Sequence, residues 1–190
     1  MTGVQTCALP IFNGGYFLAN YRPTGWAKDK SGELGRPNHK STRGGVVAIK
    51  GKDVFIGKLA DLPFKADFAV QNSPLLIEPD GSLGIAKDDG RRAARTIACL
   101  VKGDPAPLRL IVLAPRSTGG PTLKETAQLL HTPRDRGGLF CSVALNLDGG
   151  PSTGIWLAEA MGEKSMPPPV PIGYGVVLRK MGSGTPQKGQ

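Results

Sequence analysis

Read for its alternation of apolar and polar positions, the chain breaks into short apolar runs separated by turn formers, the pattern of strands. Val46 to Lys50 and Asp53 to Ile56 flank Gly51-Lys52 and predict a hairpin. Residues 67–78 predict two short strands with a bend at Ser73-Pro74, followed by a turn at Glu78-Pro79-Asp80-Gly81. Further strands are predicted over Ala93 to Val101, Leu108 to Ala114, Ser142 to Leu147, Gly154 to Glu159 and Tyr174 to Lys180. One helix stands out. Thr122-Leu123-Lys124-Glu125 is a capping box, whose hydroxyl and carboxylate satisfy orphan N–H groups reciprocally. Leu123, Ala127 and Leu130 then recur at helical spacing, carrying the helix through about His131. Strands that outnumber helices without alternating with them predict an α+β fold: a mixed or antiparallel β-sheet core, few helices, a single domain. Residues 18–45 are polar and rich in Lys, Arg, Gly and Pro, and predict a long ordered loop or flap with a functional role. Residues 181–190 read as a flexible tail.

Composition narrows this picture. The 27 Gly and 17 Pro among 190 residues recur too often for coiled coils or helix bundles. With 39% hydrophobic but only 6% aromatic residues, the core must be built from Val, Leu, Ile and Ala. No apolar run approaches the roughly 18 residues that cross a bilayer as a helix. The first eleven residues, MTGVQTCALPI, have no charge, alternation or period, and are too short for a signal peptide. They resemble a translated sequencing adapter, which predicts a domain over residues 12–180 and a gene truncated at its start. Setting Cys7 aside leaves Cys99 and Cys141, both in strand-like runs, as either a cross-sheet pair or two buried thiols. The two histidines, His39 and His131, are isolated and read as surface residues.

Three places combine polar side chains with apolar strands. In SVALNLD, Val143, Leu145 and Leu147 form a bulky core face, while Ser142, Ala144, Asn146 and Asp148 form a small polar face with room for a ligand. Gly149, Gly150, Pro151 and Ser152 follow, either as an anion-binding nest of N–H groups or as a plain hairpin turn. In RRAARTIACLV, Arg95 shares a face with Ala93, Ile97, Cys99 and Val101, so its guanidinium needs a partner at the strand end. That partner is either a phosphate or carboxylate ligand, or a structural acid. In NGGYF, Asn13 precedes Gly14 and Gly15, which repeats the pairing of a polar side chain with glycines that let backbone approach a ligand.

Taken in order, NGGYF (13–17), Pro23, Gly25, QNSPLLIEPDG (71–81), ART (94–96), TLKETAQLL (122–130) and ALNLDGGPS (144–152) resemble the phosphodiester glycosidase family. Its members include the enzyme that uncovers mannose 6-phosphate tags on lysosomal proteins. The resemblance implies hydrolysis of a sugar joined through its anomeric carbon to a phosphodiester. It places Asn13, Arg95 and Asp148 on the family's cleft motifs, with Gly149, Gly150 and Ser152 beside them. Asp148 then serves as acid/base or nucleophile, and Arg95 with the glycine N–H groups holds the phosphate. Asn13 orients a sugar hydroxyl or a phosphate oxygen; Gly14, Gly15 and Asn146 complete the expected substrate contacts. Ordinary glycosidases use two carboxylates, but phosphate leaves more readily than an alkoxide, so one carboxylate with a cation suffices here. The family's N-terminal strands precede the segment seen here, in keeping with a truncated gene. Family members are commonly exported, which implies a periplasmic or secreted home. No cofactor is expected, and a divalent metal is compatible with the Asp, Asn and Arg set.

The net charge of +9 admits a rival reading, a non-catalytic module for anionic glycans or nucleic acid. Lys28, Lys30, Arg36, Lys40 and Arg43 do cluster, but the basic-aromatic interleaving of single-strand binders is missing, so nucleic acid is not expected as the partner. A serine hydrolase is weaker still, because Ser152 lacks a G-x-S-x-G context and no histidine is placed to activate it.

Overall fold

A computed structural model describes residues 10–40, 44–101, 103–105, 107–114, 119–157 and 165–178. Among them the chain forms β1 (Ile11–Asn13), β2 (Ala27–Asp29), β3 (Gly32–Gly35), β4 (Gly45–Lys50), β5 (Asp53–Gly57), β6 (Phe68–Asn72), β7 (Leu75–Ile77), β8 (Arg95–Leu100), β9 (Leu108–Leu113), α1 (Leu123–His131), β10 (Val143–Asn146), β11 (Ile155–Trp156) and β12 (Gly175–Val177). The α+β expectation stands, although the fold is mostly antiparallel sheet with one α-helix among the described residues.

The strands assemble as three sheets, ordered β3-β2-β6-β4-β5, β7-β10-β8-β9 and β11-β1-β12. The predicted hairpin is β4–β5, registered from Val46 opposite Gly57 to Lys50 opposite Asp53. It turns at Gly51, whose φ of 58° is cheap only for glycine. The bend at Ser73-Pro74 carries a cis peptide and moves the chain from β6 in one sheet to β7 in another. The capping box forms as expected, with the Glu125 N–H donating to the Thr122 hydroxyl at 3.1 Å and the Thr122 N–H donating to Glu125 at 3.0 Å.

Packing makes layers. Val47, Ile56 and Val70 of the five-stranded sheet meet Ala98, Val143 and Leu145 of the four-stranded sheet, with Leu147 and Val176 joining them. On its other face the four-stranded sheet presents Ile77, Ile97, Cys99 and Ala144 to Ala127 and Leu130 of α1. Both faces of β10 are therefore buried. This corrects the expectation of ligand room at Ala144, which is small because a helix packs on it, while Asp148 beyond the strand stays partly exposed. Cys99 and Cys141 are joined as a disulfide, with Cα atoms 5.7 Å apart.

Three expected boundaries differ. The loop expected over residues 18–45 contains β2 and β3, which extend the five-stranded sheet through β6. The segment after Asp148 is not a hairpin, because β11 pairs with β1 in a separate sheet. In that sheet Ile11 lies opposite both Trp156 and Val177. The predicted strands over 154–159 and 174–180 are seen as β11 and β12, their last residues lying outside the described ones. Residues 1–9 and the expected tail at 181–190 also lie outside them.

Candidate active site

The sequence places chemistry at the ends of strands, and there the three sheets meet. Asp148 follows β10 by two residues, Arg95 begins β8, and Asn13 ends β1. Asn13 is completely buried and its amide is fully used. Its Nδ2 donates to the Asp148 carbonyl oxygen at 2.8 Å, and its Oδ1 accepts from the Thr96 hydroxyl at 2.6 Å and the Gly154 N–H at 3.1 Å. The Asp148 N–H in turn donates to the Gly14 carbonyl at 3.1 Å. Asn13 thus latches β1, β8 and the segment after β10 together, and grips the main chain of Asp148 from behind. No donor or acceptor of its side chain is left to face a ligand.

The glycines beside it have a local explanation as well. A Cβ on Gly15 would stand 2.7 Å from the Tyr174 hydroxyl and 3.2 Å from the Gln71 carbonyl oxygen, and one on Gly14 would enter the Tyr174 ring. Gly14 and Gly15 make room for that tyrosine, close to the site but across a distance of sequence no local pattern reveals. The nest expected after Asp148 is also spent internally. The Gly149 N–H donates to its neighbour Asp148 Oδ1 at 2.9 Å, and the Gly150 N–H donates to the Ala94 carbonyl at 2.8 Å. Ser152 N–H bonds back to Gly149 O at 3.2 Å within a 3₁₀ turn over Gly150–Ser152. These amides hold the loop's shape, so they are not the donors for an anion that the glycine pattern suggested.

What remains open is Asp148, Arg95 and the ring of Tyr16. Burial pushes the Asp148 carboxyl above the usual carboxylate range, opposed by bonds from the Ser152 hydroxyl and the Gly149 N–H. Arg95 is only 8% exposed, yet it makes no ion pair among the described residues. Its Nε donates to Pro121 O at 3.3 Å and its Nη2 to Arg91 O at 2.8 Å. Burial draws its proton affinity down, and the nearby Tyr16 and Asp89 oppose that. A guanidinium stays charged in proteins, so a buried cation held by carbonyls alone retains the capacity to neutralise an anion.

Tyr16 is the residue that the strand-end reasoning passed over. Its backbone is pinned, with its N–H on Asn72 Oδ1 at 3.0 Å and its carbonyl accepting from the Thr24 N–H at 2.9 Å. Its ring is 38% exposed and its hydroxyl accepts from Asn146 Nδ2 at 3.4 Å. Burial raises its pKa first, the Asp148 charge adds to the rise, and the Arg95 charge opposes it. That balance puts all three groups within one electrostatic neighbourhood. The signal available in sequence was its place in NGGYF, where the glycines drew attention from the aromatic. Asn146 is 1% exposed, and its Oδ1 has no hydrogen-bond partner. Beside Tyr16 a small polar cleft continues over Thr24, Gly25, Asn38, Gln71, Asn72 and Ser73.

The family profile that matches this chain is phosphodiester glycosidase, over residues 8–178. The chain belongs to that family. No curated protein matches it significantly. Among solved structures, it is similar in fold to a hypothetical protein from Synechocystis, at 15% identity and a TM-score of 0.52. The match covers 84% of this chain and 48% of the other, so this phosphodiester glycosidase domain spans about half the length of that protein. Among the described residues no group of three or more His, Cys, Asp or Glu side chains is placed to hold a metal ion.

Proposed function

We propose that this domain hydrolyses the bond between a sugar's anomeric carbon and a phosphodiester. The observation that carries the reading is Tyr16, which feels the charges of both Arg95, a cation in no ion pair among the described residues, and Asp148, a carboxyl whose proton affinity burial has raised. Arg95 takes a phosphate oxygen and neutralises the charge that grows as the C1–O bond breaks. Asp148 draws the proton from the water that adds to the anomeric carbon, a role its raised pKa suits. Tyr16 keeps its proton in this setting, and donates its hydroxyl hydrogen to the substrate while accepting from Asn146. Asn13 positions Asp148 rather than touching substrate.

The products are the free sugar and a phosphomonoester, so atoms balance with water alone. The disulfide between Cys99 and Cys141 supports an oxidising, extracytoplasmic location. Release of free N-acetylglucosamine from its 1-(methyl phosphate) diester tests the reading. The parent protein releases sugar and the Asp148→Asn variant does not; an equally active variant would remove Asp148 from the mechanism.

A further inference from the structure

Outside the site just described, the segment between β1 and β2 holds an arrangement that the reaction does not use. Tyr21 adopts a φ of 64°, a left-handed conformation that is an outlier for a bulky side chain. The turn around it is closed twice, by Leu18 N–H to Arg22 O and Tyr21 N–H to Leu18 O, both at 2.8 Å. The strained backbone sets the Tyr21 ring against Phe17, with centroids 5.9 Å apart and planes within 15°. Gly173 seats this stack from beneath: a Cβ there would lie 2.6 Å from Phe17 Cγ and 3.0 Å from the Tyr21 carbonyl. Yet the Tyr21 side is 53% exposed. An aromatic side chain is thus held half in solvent by a closed turn and a stacked partner.

The ring borders a cleft of about 470 Å³, lined also by Arg22, Pro23, Glu33, Leu34 and Tyr174. Tyr174 connects this cleft to the site, since the same ring covers Gly14–Gly15 and its hydroxyl lies within reach of the Asp148 charge. The volume falls in the range of small-molecule sites. One basic and one acidic residue face it, so its formal charge cancels, which suits an uncharged ligand better than a second phosphate. Such a ligand needs an apolar face for the stacked aromatic, and hydroxyl groups able both to accept from Arg22 and to donate to Glu33.

We propose that the Tyr21 cleft is a binding site for an uncharged pyranose ring, which stacks on Tyr21 and is gripped at its hydroxyls by Arg22 and Glu33. That the ring is a sugar rests on the phosphodiester glycosidase reading; the existence of the cleft does not. Binding is therefore tested without turnover, by saturation-transfer NMR with methyl glucoside, mannoside, galactoside and N-acetylglucosaminide. Transfer from aromatic protons to at least one of these is expected at up to about 10 mM, where a millimolar site is occupied. Tyr21→Gly and Tyr21→Asn both tolerate the left-handed backbone. Each weakens that binding roughly tenfold, the loss of a stacking contact, while the thermal midpoint stays level or rises. No transfer with any of the four glycosides overturns the proposal. So does unchanged affinity in both variants. Failure of the diester assay together with intact, Tyr21-dependent glycoside binding overturns the Asp148 chemistry and leaves this site standing.

Discussion

Strands β8 and β10 run side by side, yet their two ends have opposite characters. At one end Leu100 lies opposite Val143, the Cys99–Cys141 disulfide staples the edge, and the Ser142 N–H and hydroxyl both close onto Leu100 O. At the other, Ile97 lies opposite Asn146, and the chain leads into the buried Arg95 and the half-buried Asp148, neither of which makes an ion pair among the described residues. The polar groups of Ser142 at the first end are answered inside the protein. At the second, Arg95 is held by carbonyl oxygens alone, Asp148 only by Ser152 and Gly149, and the Asn146 Oδ1 has no hydrogen-bond partner. The difference separates a region that carries stability from one able to carry chemistry on the same pair of strands.

The comparison breaks most visibly if the stapled end matters to activity. The disulfide closes a separation of 42 residues. On the loop-entropy account its loss destabilises by about 4 kcal/mol. A Cys99→Ala/Cys141→Ala variant is expected to lose that much in denaturant unfolding, while the folded fraction keeps its kcat/KM. A fall in kcat/KM beyond the unfolded fraction would show that the two ends are coupled.

Next in size is Asn13→Ala. It strands the Thr96 hydroxyl, the Gly154 N–H and the Asp148 carbonyl in a buried place, at a cost of about 3 kcal/mol. Because the lost bonds frame Asp148, activity should fall together with stability, unlike the disulfide variant. Unfolding curves and kcat/KM measured on the same samples decide this. A stable, active Asn13→Ala protein would mean that the latch is decorative.

Arg95→Gln reads the open end directly. Removing the guanidinium is expected to lower kcat/KM about a hundredfold through lost stabilisation of the phosphate. Stability should hold or improve, because an unpaired buried cation is removed. Loss of stability with activity retained would make Arg95 a structural clamp on Pro121 and Arg91, and nothing more.

Much of the framework was legible in sequence, and little of the open end's wiring. The hairpin at Gly51, the helix from its capping box and the apolar face of Val143, Leu145 and Leu147 all follow from neighbours within a few residues. The pairing of Cys99 with Cys141 stayed ambiguous, because spacing alone does not say that two strands are adjacent. The resemblance to the family singled out Asn13, Arg95 and Asp148, and the fold brings all three to one corner. It could not assign their bonds. Asn13 is spent on Thr96 and Gly154, 83 and 141 residues away, and Gly14 answers to Tyr174 rather than to a ligand. Gly149 and Gly150 misled for the same reason: a free N–H and one donating to Ala94 look identical in one dimension. The β2–β3 hairpin was missed because its partner β6 lies about forty residues on, and residues 27–35 carry no run of apolar alternation.

The smallest expected effect is a dependence on pH that belongs to the open end alone. Burial raises the Asp148 pKa in the folded protein above the ordinary value near 4 of an unfolded chain. The folded state therefore holds this proton more tightly, and its contribution to stability is complete below about pH 4. The contribution is lost as pH rises through the folded-state pKa, so at neutral pH the charged Asp148 weighs against folding. Asparagine keeps the shape and an acceptor for the Gly149 N–H without the charge. Asp148→Asn is accordingly expected to melt slightly higher than the parent at pH 7, with the gap closing as the parent is acidified toward pH 4. Melting curves of both proteins across that range measure it, with the disulfide variant as the control whose deficit stays constant. A gap that widens on acidification would mean that Asp148 is stabilised as a carboxylate, and the contrast between the two strand ends would lose its electrostatic half.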